Sequence, residues 1–357
     1  FATAFNTGDL SHDLEVGVRF HMDEEDRFQS EDAYAINNGI MSLNNLGAPG
    51  SQGNREGRAE ALAFYVQDEM QFGDLTIVPG FRYEHITLER EDFNSGNFRE
   101  NTVDAFVPGL GLGYALNDSV SFFGGAHKGF APPGTGNNNA DEEESVNYEI
   151  GVRYDNGNVA AELAGFRNDY SNLLGECTAS SGCTNAAIGD QFNGGEVTAE
   201  GVEASVTYDA AALFGFSEVA VPLLANYTYT TAEFENGFNS KFDEWANVNA
   251  GDELPYIPEH QFYVAAGLQA DTWEANFGGK FVSAMRTTAG SGDIPLGEGT
   301  DAHFIVDASA EMEVLEDTRL FVNAYNLFDQ EFVAARRPAG ARPGAPRTFL
   351  VGLKHSF

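Results

Sequence analysis

Between residues 146 and 155, large side chains recur at every second position. Val146, Tyr148, Ile150, Val152 and Tyr154 share one face, while Asn147, Glu149, Gly151, Arg153 and Asp155 share the other. A period of two identifies a β-strand whose faces meet different environments. Asn156-Gly157 follows, a dipeptide suited to the positive φ angles of a two-residue hairpin turn. A second alternating run covers about 158–169. The same arrangement recurs in the pairs 59–71 and 75–90, 103–116 and 119–129, 197–208 and 218–233, 260–269 and 273–285, and 303–314 and 318–328. A strand near 12–22 and a closing strand over 347–357 bring the expected total to about fourteen.

The connections alternate in length. Short turns such as Phe72-Gly73-Asp74, Asn117-Asp118 and Leu315-Glu316-Asp317 follow every second strand. Long polar segments lie between: 23–57, 91–101, 130–145, 170–195, 234–258, 286–301 and 329–346. A soluble sandwich gives no reason for this regularity. An outer-membrane barrel does, because its periplasmic turns are short and its extracellular loops long. Face chemistry agrees: Phe106, Leu110, Leu112, Tyr114 and Leu116 oppose Ala105, Gly109, Gly111, Gly113 and Ala115. An apolar outside and a small or polar inside suit a wide barrel in lipid. Alternation alone fits a soluble barrel equally well, so loop asymmetry carries the decision. No run approaches the ~18 apolar residues of a membrane helix, which leaves strands untouched as membrane-crossing elements.

Composition supports β-structure: 40 Gly, 29 Phe and 13 Tyr among 357 residues. The net charge of −36, from 19 basic and 55 acidic residues, opposes binding to phosphate backbones or anionic lipid heads. Solvated acidic loops account for it, and a saline habitat is a second reading. Cys177 and Cys183 lie in a Gly/Ser/Asn-rich segment and point to a small disulfide in an oxidising compartment. Two free thiols is the alternative, and nothing nearby completes a metal site. The run Asp141-Glu142-Glu143-Glu144 lacks the spacing and turn glycine of a calcium loop and reads as solvated. Seven scattered histidines and the absence of hydrolase, metalloprotease or phosphate-loop motifs predict no enzyme, no cofactor and no metal. Tyr65, Tyr83, Tyr154 and Tyr208 are expected in interfacial girdles. The chain begins at Phe1 without an initiator Met, and reads as a mature or truncated product.

Several motifs are similar to those of TonB-dependent outer-membrane receptors. Asn323-Ala324-Tyr325-Asn326-Leu327-Phe328-Asp329 is followed by Pro343-Gly344-Ala345-Pro346-Arg347-Thr348-Phe349 and a terminal Phe357. Upstream stand Ala61-Leu62-Ala63-Phe64-Tyr65-Val66-Gln67-Asp68, Pro79-Gly80-Phe81-Arg82-Tyr83-Glu84, His127-Lys128-Gly129-Phe130-Ala131-Pro132-Pro133 and Gly201-Val202-Glu203. Together, from about residue 60 onward, they look most like the ferric citrate receptor branch. The resemblance implies an all-β transmembrane antiparallel barrel in the bacterial outer membrane. Residues 1–357 would be its C-terminal portion, about fourteen of a probable ~22 strands, with the plug domain and first strands outside this chain. It implies import of a ferric chelate of siderophore or iron-citrate type, driven by TonB through an absent segment, in a monomer embedded in lipid. Such chelates are usually anionic, and Arg is their natural partner. Arg336, Arg337 and Arg342 in the last long loop, with Arg286 in another, are therefore candidate ligand contacts. Pairing with acidic loop neighbours is the competing reading. Two other functional classes stand beside the receptor: a complete fourteen-stranded passive channel, and a secreted acidic β-protein soluble without detergent.

Overall fold

The structure, a computed structural model, describes residues 1–136, 140–177, 189, 191–240, 242, 244–337 and 340–356. Among these, fifteen antiparallel strands form one continuous sheet in chain order. They are β1 (Ala2–Thr7), β2 (Leu10–Gln29), β3 (Gly53–Phe72), β4 (Leu75–Asp92), β5 (Asn97–Asn117), β6 (Val120–Ala131), β7 (Glu143–Asp155) and β8 (Val159–Ser171), followed by β9 (Val197–Asp209), β10 (Pro222–Phe234), β11 (His260–Gln269), β12 (Trp273–Val282), β13 (His303–Leu315), β14 (Thr318–Tyr325) and β15 (Thr348–His355). Each strand pairs with its sequence neighbours, and β1 and β15 are not neighbours, so the sheet is open.

The alternating segments of the sequence all fall on strands, with one strand more than the expected fourteen. The addition is β1, six residues paired from Ala2↔Glu15 to Thr7↔Leu10. Its sequence, ATAFNT, carries a single large apolar side chain, Phe5, too little to register as alternation. Two expected loops are largely strand. Residues 91–101 contain only a four-residue turn, 93–96, because β4 and β5 stay paired to Asp92↔Asn97. The Asp92 carboxylate closes this turn by accepting N–H bonds from Asn94 (3.1 Å) and Ser95 (2.8 Å). Residues 23–57 hold the ends of β2 and β3, paired to Gln29↔Gly53, and a small hairpin, Ala33–Asn37 with Ile40–Asn45. Phe357 of the expected terminal motif lies outside the described residues.

A lipid belt explains both differences. Exposed apolar residues occupy one face: Phe106, Leu110, Leu112, Tyr114 and Leu116 on β5, and Val146, Tyr148, Ile150 and Tyr154 on β7. These stretches span eleven and nine residues by number, the ~9–11 that a tilted strand needs to cross a bilayer. At the loop end the same face turns charged, with Asp104 bonded to His85 (2.8 Å) and Glu144 paired with Lys128 (2.5 Å). Strands β2 to β5, of 18 to 21 residues, continue well past this level. Beyond the hydrocarbon the outward face needs no apolar residues, so the period-two signal fades while backbone pairing persists.

The opposite face carries the Arg82–Glu84 and Arg153–Glu162 ion pairs and, toward the loop end, a buried apolar cluster of Ile86, Leu88 and Val103. Its aromatic rings lie flat over glycines of the neighbouring strand. Tyr65 covers Gly17, Phe123 covers Gly151, and Phe166 covers Gly201. Tyr65 therefore faces the interior, its hydroxyl donating to Glu15 (3.0 Å), and does not join the girdle expected of it. Tyr83 and Tyr154 are exposed on the lipid face, as expected. At Gly201 a β-carbon would come 2.1 Å from the Tyr229 carbonyl oxygen, whereas at Gly165 the nearest atom would be 3.9 Å away. Gly201→Ala is expected to destabilise the barrel by about 1–3 kcal/mol and Gly165→Ala to be tolerated. The readout is the temperature at which the compact, heat-modifiable band converts to the unfolded band in a detergent gel.

Candidate anion-binding vestibule

A buried aromatic cluster sits at the loop end, outside the membrane belt. Val197, Phe234, Trp245 and Val248 are buried there, packed with Phe192, Phe238, Phe242, Leu254 and Ala289. Trp245 is the hub, edge-on to Phe192, Phe234, Phe238 and Phe242 at 5.1–5.9 Å between centroids. Gly175 and Gly194 pass against its ring, where a β-carbon would approach within 2.8 and 2.0 Å. The loops 172–196, 235–259 and 283–302 thus share a common core. Burial of this aromatic surface, at ~25 cal/mol per Å², holds them as one body.

Arg286 anchors the next layer. Its side chain is 5% exposed, and Nε donates to Glu253 at 2.7 Å while Nη2 donates to the Gly292 carbonyl at 2.9 Å. Tyr256 donates its backbone N–H to the Arg286 carbonyl (3.0 Å), and its hydroxyl accepts from the N–H groups of Arg336 (3.2 Å) and Arg337 (2.9 Å). Arg336 Nε donates to the Gly299 carbonyl, and Arg337 pairs with Glu298 at 3.4 Å. Arg342 donates to the Arg337 carbonyl. Arg286, Arg336, Arg337 and Arg342 are therefore brought together, with acidic and carbonyl partners, across three loops.

A second basic cluster escaped sequence analysis. Arg27 lies directly opposite Arg55, and Arg90 directly opposite Arg99. Arg55 opposes Asp92, and Arg90 opposes Gly57, so four arginines share the interior face of β2 to β5 above the belt. Like charges directly across a ladder destabilise it. Burial first, then the Arg90 and Arg27 charges, hold the Arg55 guanidinium below the usual arginine range, with Glu25 and Glu176 opposing. Two loops fold inward onto the cluster. Gly136 passes against Arg90, Thr135 against Gly57, and Gly189 against the Arg55 guanidinium. Gln191 and Asn193 bond the same two loops together through Gly134 (2.6 Å) and Asp141 (2.9 Å). Loop 172–196 thereby reaches from the arginines to the Trp245 hub. The signal available in the sequence was parity: odd positions on β2, β3 and β5 and even positions on β4 face inward.

Other singled-out residues fall nearby. Glu143 accepts from the Leu174 N–H (3.1 Å), and Glu144 holds Lys128, so the acidic run is used in loop contacts. Cys177 is buried and disulfide-bonded; Cys183 lies outside the described residues. Because Arg286 is buried, Glu253→Ala leaves its charge without its carboxylate partner. The expected cost is about 1–3 kcal/mol, felt as faster backbone amide exchange over residues 286–299 with the belt strands unchanged.

Comparison with known proteins places this arrangement. The family described as TonB dependent receptor-like, beta-barrel matches residues 1–327. The catecholate siderophore receptor Fiu of Escherichia coli strain K12 is 25% identical, covering 99% of this chain and 50% of that protein. The metal-pseudopaline receptor CntO of Pseudomonas aeruginosa is 26% identical, with 99% and 49% covered. Among solved structures, unliganded ferric citrate transporter FecA aligns with a TM-score of 0.73 at 22% identity, covering 99% of this chain and 53% of that one. The siderophore receptor PiuA of Acinetobacter baumannii aligns with a TM-score of 0.75 at 16% identity, with 99% and 54% covered. The chain spans about half the length of these relatives. With the belt, the loop asymmetry and this match, the chain is an outer-membrane β-barrel that belongs to the TonB-dependent receptor family.

Proposed function

We propose that the protein is a TonB-dependent receptor importing an anionic ferric chelate, and that Arg27, Arg55, Arg90 and Arg99 form the electropositive floor of its binding vestibule. The carrying observation is the opposed register of these arginines on the interior wall, in a chain with only 19 basic residues. An entering anion would meet charged donors that sit beside one another and beside Asp92 on this wall. Arg286, Arg336, Arg337 and Arg342 are proposed as further contacts at the rim, their charge shared with Glu253 and Glu298. Cys183 is the proposed partner of Cys177, closing a loop that bears on Arg55.

Further strands and a plug are proposed to lie outside residues 1–357. The open edges of β1 and β15 support this, because unpaired backbone groups in hydrocarbon cost several kcal/mol each. The plug would couple to TonB. We propose a monomer with no enzymatic role and no nucleic-acid partner, its contacts being lipid, chelate and TonB. The relatives named above are receptors by name, which supports transport over catalysis.

Titration of the receptor, carrying its native upstream sequence, with iron(III) citrate, an iron(III) tris-catecholate and a neutral iron(III) hydroxamate tests the site. Arg55→Ala with Arg90→Ala is expected to weaken the preferred anionic chelate by at least roughly 10-fold, from ~1.5–3 kcal/mol for each charged hydrogen bond lost. Unchanged affinity for every anionic chelate would remove the arginines from the binding site.

A further inference from the structure

Connections at the turn end of the sheet are short, with one exception among the described residues: 210–221, joining β9 to β10. Its base is firmly rooted. Asp209 Oδ1 accepts from the Ala211 (2.9 Å) and Val221 (3.0 Å) N–H groups, and the Ala210 N–H donates to the Val221 carbonyl (2.9 Å). Ala220 and Gln269 exchange two backbone bonds of 2.8 and 2.9 Å, and Ala210 and Val221 are buried. From this base projects a helical turn, Ala211–Phe214, closed by Gly215 at φ 72°. Leu213, Phe214 and Phe216 on it are 72, 63 and 47% exposed, with the two phenyl rings stacked at 6.0 Å. No charged residue occurs in 210–217. A rooted protrusion of large apolar side chains is costly in water.

The belt above this turn is short. On β8 and β9 the lipid face becomes charged at Arg167, which bonds Asp169 at 2.9 Å and approaches Glu200 to 3.7 Å. Below that level the outward positions run Val159–Gly165, Val202–Tyr208 and Leu223–Tyr229, seven residues each by number. The strands β5 and β7 supply eleven and nine. The apolar arc of β8 to β10 is thus two to four residues shorter than the ~9–11 of a tilted spanning strand. On β7 the apolar outward positions continue to Tyr148 and Val146, directly opposite Arg167 and Asp169, so charge narrows this arc from the loop end, while Val159, Tyr208 and Leu223 carry its apolar face down to the rooted base of the protrusion. The neighbouring rim is continuous with it in chemistry, since Phe72, Leu116, Tyr154, Trp273 and Leu315 are all exposed near the turn ends of their strands.

We propose that Leu213, Phe214 and Phe216 are an interfacial anchor, entering the headgroup–acyl boundary of the turn-side leaflet and continuing the apolar rim below β8 to β10. The partner is a phospholipid surface. Apolar contact supplies the affinity, and the aromatic rings suit the interface.

Phe214→Trp, made in the full-length receptor and reconstituted into phosphatidylcholine, reports the position directly. The native reference is Trp273, read as the emission lost in Trp273→Phe. The added emission is expected to be quenched by lipid brominated near the headgroup about as strongly as that of Trp273, and to be shielded from aqueous iodide. Leu213→Trp provides a second reporter should the first variant fold poorly. Emission indifferent to brominated lipid would overturn the proposal. Open to iodide, it would place the turn in solvent or the lumen; shielded from iodide, it would place the turn against protein.

Discussion

In hydrocarbon no water is available to bond a backbone N–H or C=O, so each must find a partner on a neighbouring strand. Between its two outer edges, the continuous ladder from β1 to β15 meets that demand, and the other features follow from it. Strand pairing fixes side-chain parity, and parity separates a lipid face bearing Phe106, Leu112 and Ile150 from an interior bearing Tyr65, Arg82 and Glu84. Glycines such as Gly17 and Gly201 let interior rings lie flat against the wall, which keeps the lumen wide without leaving the ladder thin. With the wall this regular, specific packing moves to the loops, where Trp245 supplies the hub that the barrel lacks.

What sequence reading recovers divides at the membrane boundary. Within the belt, lipid on one side and water on the other force alternation, and strands such as Val146–Tyr154 were legible residue by residue. Above the belt both faces meet polar surroundings, so 91–101 read as loop although β4 and β5 pair to within four residues of each other. The short β1 was lost for want of large apolar residues. The last-loop arginines drew notice because Arg336 and Arg337 are adjacent in sequence. Arg27, Arg55, Arg90 and Arg99 are dispersed over more than seventy positions and converge only through register. Their detection needs parity on four strands at once, and the strand extensions that carry them lacked the alternation from which parity is read.

The two basic clusters differ in physical character. Around Arg286 the charges are matched by Glu253 and Glu298 and braced by Tyr256, an arrangement that stiffens three loops. Around Arg55 the neighbours are mixed, two further arginines with Glu25, Glu176 and Asp92, and burial disfavours the guanidinium charge. Four arginines converging on one interior face stand out in a chain whose net charge is −36. Loop 172–196 touches Arg55 at Gly189 and Trp245 at Gly194, so the arginine cluster and the loop body share a mechanical connection.

The central claim, that these fifteen strands are part of a larger energised receptor, is tested most directly by the intact mass and N-terminal sequence of the polypeptide extracted from outer membranes. The account predicts a chain of roughly twice the 38.5 kDa represented here, since half of each relative is covered, with a plug-forming segment ahead of Phe1. A membrane-inserted polypeptide of about 38.5 kDa beginning at Phe1 would contradict it and favour a passive channel closed by some other means.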